Sequence, residues 1–186
     1  IGAQTLSLDS SMSAYGDVIL NANMSLLRNV TQSGIRFYEQ ADLNPNLAPV
    51  DCNIWLFMTN PLSSVDVQNN LVMSDSSNVI LFNGRFNTLG NELKTGNFVS
   101  INNPTDGSDQ RRLDLGSSNV QLYKTFNTSG DTTFTFNSGT SNIYIGDTLN
   151  FKNVLSTEGL TFYDVTLNFQ PATDQIVKGN NNFNKL

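Results

Sequence analysis

The feature that most restricts how this chain can fold is an internal echo. Ser76-Ser77-Asn78-Val79-Ile80-Leu81-Phe82, followed by Phe86-Asn87-Thr88, returns as Ser117-Ser118-Asn119-Val120-Gln121-Leu122-Tyr123, followed by Phe126-Asn127-Thr128. A shorter copy stands at Ser141-Asn142-Ile143-Tyr144-Ile145. Self-similarity of this kind marks one supersecondary unit stacked upon itself.

A small polar residue followed by alternating apolar positions serves as a marker. It begins at Asn78, Asn97, Asn119, Asn142 and Asp164, a fairly even spacing on the scale of one solenoid coil. Upstream the cadence is looser, through Asp17, Gly34 and Asn53. Each marker has the period-2 alternation of a half-buried strand. Shorter strand-like runs lie between them: Phe86–Leu89, Leu113–Leu115, Phe134–Phe136, Leu149–Phe151 and Leu160–Phe162. Turn chemistry separates these runs, at Asn83-Gly84, Ser129-Gly130-Asp131 and Ser138-Gly139.

Short strands and tight turns that recur every ~20–23 residues match a right-handed parallel β-helix. Stacking coils sets Asn on Asn and aliphatic on aliphatic, and builds a core that no single coil could bury. Asn at the recurring turn also tolerates left-handed backbone. An antiparallel β-sandwich is the alternative, although its strands run longer and favour two-residue hairpin loops. No sustained i, i+3, i+4 apolar pattern supports a helix. Ser25–Arg28 reads as a strand end.

The expectation is a single β-helix segment over residues 1–186. Residues 1–81 form irregular coils with a loop excursion near 40–62, and residues 82–186 form regular coils. The excursion comprises Asn44–Pro49 and Thr59–Leu62, around a strand at Ile54–Met58. Asn102–Ser108 reads as another loop, and such loops are where binding would reside. Ile1 is neither an initiating Met nor the start of a signal sequence, and the chain ends part-way into a strand-like run. A longer precursor is expected.

Composition narrows the function classes. Charged residues are 14% of the chain, against roughly 25% in a typical soluble domain. Asn alone is about one residue in seven. A net charge of −6 without a basic run argues against nucleic acid as a partner, because neutralising phosphates takes clustered Lys or Arg. Arg111-Arg112, flanked by Asp109 and Asp114, reads as a solvated turn. Without His, neither a Ser-His or Cys-His pair nor a His-ligated zinc site can form. Cys52 reads as a buried small hydrophobe. No apolar run approaches the roughly 20 residues that span a bilayer, so membrane insertion is not expected.

Catalysis would need carboxyls that face one another, roughly 5 to 9.5 Å apart for glycoside hydrolysis. Asp114 and Asp164 lie in or beside strands, but the remaining acids are scattered singly. The aromatic residues Phe82, Phe86, Tyr123, Phe126, Tyr144, Phe151, Phe162 and Tyr163 could stack on sugar rings. Their register with the repeat favours interior ladders. Trp55 lies in the apolar run Ile54–Met58, as core or under the proline loop. The residues therefore name no catalytic, metal or cofactor site.

From Phe82 to Leu186 the chain resembles the β-helical regions of very large cell-surface proteins of Bacteroidetes bacteria. The likeness is carried by Phe86-Asn87-Thr88-Leu89-Gly90-Asn91, Arg112-Leu113-Asp114-Leu115-Gly116-Ser117, Phe134–Ile145, Gly159–Val165 and Lys178–Leu186. It implies a non-catalytic structural and binding segment of an adhesin, exported by the type 9 secretion system to the cell surface. Some such proteins serve gliding motility. It also implies the outer-membrane translocon as partner during export, with a surface glycan or another adhesion ligand. Asp131-Thr132-Thr133 and Asp147-Thr148-Leu149 are similar to short O-glycosylation sites of that phylum. A phage tailspike-like β-helix module and a polysaccharide-active β-helix enzyme are the alternatives.

Overall fold

A computed structural model describes residues 3–102, 110–128, 133–146, 154–167 and 176–186. These residues form twenty strands and no helix, and every strand pairing is parallel. The chain is a parallel β-helix. A sandwich of hairpins is thereby excluded, since hairpins pair antiparallel.

The strands fall into three stacks that the chain visits in turn. The first holds Met12–Ala14, Gly34–Phe37, Asn53–Phe57, the start of Asn78–Asn87, the ends of Leu93–Ser100 and Asn119–Asn127, Val154–Ser156 and Ile176–Lys178. The second holds Val18–Ile19, Ala41–Asn44, Ser64–Val67, the end of Asn78–Asn87, Arg111–Asp114 and Phe134–Asn137. The third begins with Gln4–Leu8, Met24–Arg28 and Val50–Asp51 and passes through a Val50–Met73 bridge. It continues through Leu71–Val72, the starts of Leu93–Ser100 and Asn119–Asn127, Asn142–Ile145 and Thr161–Leu167.

One register column follows the whole axis: Met12, Ile35, Ile54, Val79, Phe98, Phe126, Leu155, Val177. Its steps are uneven, shortest from Ile35 to Ile54 and from Val79 to Phe98 and longest from Phe126 to Leu155, so coil length varies more widely than the repeat alone suggests. The paired runs of this stack stay short and even while the corners absorb the variation, because a surface loop grows at little entropic cost. The segments Asn44–Pro49 and Thr59–Leu62 are two such corners and stay close to the coil. Ala48 N–H bonds to the Pro45 carbonyl at 2.8 Å, and Ser63 N–H to that of Asn60 at 2.9 Å. The expected loop at Asn102–Ser108 is described only at Asn102. Residues 103–108 lie outside the described residues, as do the run Leu149–Phe151 and most of both O-glycosylation motifs.

Inward positions form one continuous core. Phe86, Phe98, Phe126 and Phe162 are almost wholly enclosed among Leu, Ile and Val from all three stacks. Phe126 meets Phe98, Phe136 and Phe162 with ring centroids 5.2 to 5.8 Å apart. Each such enclosed side chain contributes about 1.5–3 kcal/mol from its burial.

The repeated Ser-Asn has a physical basis at the corners. Ser33, Ser77, Ser118 and Ser141 are each fully buried, and each N–H closes a turn onto the carbonyl three residues back. The next residue opens a strand, and where it is Asn its amide bonds along the axis. Asn78 Nδ2 donates to Asn53 Oδ1 at 2.7 Å, and Asn142 Nδ2 to Asn119 Oδ1 at 3.2 Å. These Asn are not left-handed, contrary to the expectation. Among the described non-glycine residues, positive φ falls at Asn46, Leu47 and Leu89, inside the turns.

The echo itself lies differently from its reading as one column. After its turn, Asn78–Leu81 is in the first stack and Phe86–Asn87 in the second. Asn119–Leu122 is in the third stack and Phe126–Asn127 in the first. The two copies are the same turn, strand and bend, set one face apart. Accordingly Asn97 pairs with Thr125 rather than Asn119.

Candidate functional site

Outward positions give the sides different chemistry. Along Asn53–Phe57, alternation sends Ile54 and Leu56 to the core and turns Trp55 and Phe57 away. Trp55 is therefore outside the core cluster although only 9% exposed. The Arg36 guanidinium covers it at 5.4 Å from the ring centroid, and Gly34 leaves room for the ring edge. Such a cation–π contact is worth about 0.5–1 kcal/mol.

Beside that column runs an external aromatic stack. Tyr15, Tyr38, Phe57 and Phe82 succeed one another with centroids 5.3, 5.9 and 4.2 Å apart and ring planes within 19° of parallel. Strands spaced by about 4.8 Å bring outward rings into stacking distance without strain. Phe82 is thus outside the core, not in an interior ladder. Tyr144 and Tyr163 are also outward and about two-fifths exposed, and Tyr123 is half-buried. Phe86, Phe126 and Phe162 are interior as expected. Phe151 lies outside the described residues.

The stack has a chemical consequence. Each middle ring has both faces against its neighbours and offers solvent only an edge, so it is not a platform for stacking a sugar. Tyr15, 65% exposed, has one face without a ring neighbour among the described residues. Reading along the chain misses this feature, but a signal for it exists. Tyr15, Tyr38, Phe57 and Phe82 each stand three places beyond their counterparts in the column Met12, Ile35, Ile54 and Val79. The rings therefore recur at the same uneven intervals as the core.

The second stack is ionic outside. Asp114 is almost fully buried beneath two guanidiniums. Arg112 Nε reaches its two oxygens at 3.0 and 2.8 Å, and Arg85 pairs with the same carboxylate. Arg111 corrects the reading of Arg111-Arg112 as a solvated turn. Both residues are in a strand, and Arg111 is fully buried. Its guanidinium donates to the carbonyls of Phe82 and Ile101 at 3.2 Å each, to Asn102 Oδ1 at 3.4 Å, and to Thr133 Oγ1. It ties the end of the aromatic stack to the next coil. Only Arg112 is half exposed.

A third polar group joins three coils at a corner. Asp51 Oδ1 accepts from the hydroxyls of Ser74 and Ser77, and Arg28 Nη1 donates to the Ser76 carbonyl at 2.9 Å. Next to it Cys52 is fully buried, as expected, and burial pushes its thiol pKa up to about 12, with Asp51 adding to the shift. A thiol held neutral in this way is a poor nucleophile.

Asp114 and Asp164 stand in different ladders, opposite Asn137 and Asn142 respectively. Among the described residues no three His, Cys, Asp or Glu gather as a metal site, and no helix is long and apolar enough to cross a membrane. Comparison with family models, with curated proteins and with solved structures returns no match for this chain.

Proposed function

We propose that this chain is a non-catalytic structural and binding segment of a very large secreted cell-surface adhesin. In this reading it crosses the outer membrane through the type 9 secretion system, whose translocon is its partner during export, and it meets a surface glycan or another adhesion ligand outside. The continuous parallel stack carries the reading. Seven register steps of about 4.8 Å make a rod roughly 34 Å long, its core shared by every coil. Such a rod separates what lies beyond its ends and can present a different chemistry on each side. The low charge, the Asn ladders and the resemblance of residues 82–186 to Bacteroidetes surface proteins support the same reading.

The experiment is surface labelling of intact cells with antibody to the purified chain, in the encoding organism and in a strain lacking the secretion translocon. Label on intact cells that disappears without the translocon is the expected result. Label seen only after permeabilisation overturns the proposal. A reducing-sugar assay across polysaccharides tests the non-catalytic part, which sustained sugar release would refute.

A further inference from the structure

Two outward columns run side by side on the third stack. Val72, Lys94, Gln121, Tyr144 and Thr166 stand in register on successive coils. Two residues earlier on each coil stand Asn70, Glu92, Asn119, Asn142 and Asp164. Midway along them lies a cavity of about 330 Å³ lined by Glu92, Lys94, Asn119, Val120, Gln121 and Tyr144. It opens on the side of the rod, between described coils.

Its polar groups are held in place and keep hydrogen-bonding capacity. Glu92 N–H donates to Asn70 Oδ1 at 3.0 Å, and the Glu92 carboxylate pairs with Lys94 Nζ at 2.9 Å. Asn119 Oδ1 accepts from Asn142 Nδ2 at 3.2 Å, which leaves Asn119 Nδ2 to donate. Gln121 Nε2 donates to the Gly146 carbonyl at 2.6 Å, which leaves Gln121 Oε1 to accept. Tyr144 is 44% exposed and, unlike Tyr38, Phe57 and Phe82, has no ring neighbour among the described residues.

This chemistry selects a ligand class. Among the described lining residues the only charges are Glu92 and Lys94, and they pair, so an anion meets no free cation. An apolar ligand would leave the polar groups unmet. A sugar hydroxyl both donates and accepts, and the C–H face of a pyranose matches an uncovered aromatic ring. We propose that this cavity binds a neutral sugar ring, stacked on Tyr144 with its hydroxyls bonded to Glu92, Lys94, Asn119 and Gln121. Groups already fixed by neighbouring coils lose little freedom on binding. The inference gives a place and a ligand class to the binding part of the proposed role, and it rests on that reading.

The test titrates the full 186-residue chain in a calorimeter with neutral oligosaccharides of glucose, galactose, mannose and N-acetylglucosamine, and with polygalacturonate. Saturable binding of a neutral oligosaccharide, tighter than that of polygalacturonate, is expected. Tyr144→Ala should weaken it about tenfold and Gln121→Ala about fivefold, whereas Tyr144→Phe keeps the ring and the binding. Tyr15→Ala, at the other open ring, should leave it unchanged. Circular dichroism checks each fold; if one of the Tyr144→Ala and Gln121→Ala variants unfolds, the other decides. Absence of neutral-sugar binding, preference for polygalacturonate, or affinity unchanged in Tyr144→Ala and Gln121→Ala overturns the inference. Any of these, with surface label still dependent on the translocon, removes this site alone. Label confined to permeabilised cells, with sugar binding intact, removes the export reading alone.

Discussion

Asn97 Nδ2 donates to Asn78 Oδ1 at 2.6 Å, across the gap between two coils. Asn78 passes the interaction on, through its own N–H and Nδ2, to Asn53 Oδ1 at 3.0 and 2.7 Å. Asn53 is buried, so its carbonyl oxygen depends on this ladder. Asn78→Ala should cost about 1–3 kcal/mol, read as a lower urea midpoint at unchanged slope. Asn78→Asp should cost more, since it sets oxygen against oxygen. A midpoint unchanged in both variants would show the ladder to be idle.

The external aromatic stack should couple its members energetically. A double-mutant cycle of Phe57→Ala and Phe82→Ala, whose rings are 4.2 Å apart, is expected to give an interaction energy of about 0.5–1.5 kcal/mol. Strict additivity of the two substitutions would mean that the rings are merely adjacent.

Neighbouring arginines should respond very differently. Arg111→Ala removes a buried guanidinium from the carbonyls of Phe82 and Ile101, and a loss of about 1–3 kcal/mol is expected for each acceptor left unmet. Arg112→Ala removes a half-exposed partner of Asp114, which keeps Arg85. Its cost should be about 1 kcal/mol or less. Equal thermal shifts in the two variants would contradict the assignment of Arg111 to the interior.

Gly139 has φ +55°, and an added Cβ would overlap the Gly116 carbonyl of the coil beneath. Gly139→Ala should therefore destabilise by about 1–3 kcal/mol or more. Gly16 has open space at its Cβ position, and Gly16→Ala should be near neutral. Thermal denaturation of the pair separates the close approach of backbones from a general preference for glycine in turns.

Cys52 should be inert to thiol reagents until the chain unfolds. Its folded-state pKa, about 12, lies above the ordinary value of 9.0. The stability linked to this group is complete below pH 9 and is lost as pH rises toward 12, because only the unfolded chain ionises there. The slope in that window should be about 1.4 kcal/mol per pH unit. Cys52→Ala should flatten it, and an identical pH profile in the variant would refute the linkage.

Much of this fold is legible locally. The buried serine that closes each turn, the Asn that follows it, and the alternation through Val79 and Leu81 or Val120 and Leu122 are all visible in the chain. So is the parallel stacking that their recurrence requires. Less legible are Arg111 and the aromatic stack. Arg111 looks solvated beside Arg112, since nothing in a short polar stretch says that Phe82, from the coil beneath, and Ile101, at the preceding corner of its own coil, will supply its acceptors. Phe82 looks like a core residue because it continues an apolar run, yet the alternation that turns Val79 and Leu81 inward turns its ring outward, just before the chain bends at Gly84 with φ +89°.

The sequence by itself determined the unit, a turn closed by serine, a short strand and a bend, because each depends on contacts within its own short stretch of chain. Only the tertiary structure decided which face each unit occupies. The copies at 76–88 and 117–128 are alike in sequence and one face apart in space, because corners of unequal length shift the phase of the winding. Stacked partners are set by how the coils close around the core. Local resemblance has no access to that closure.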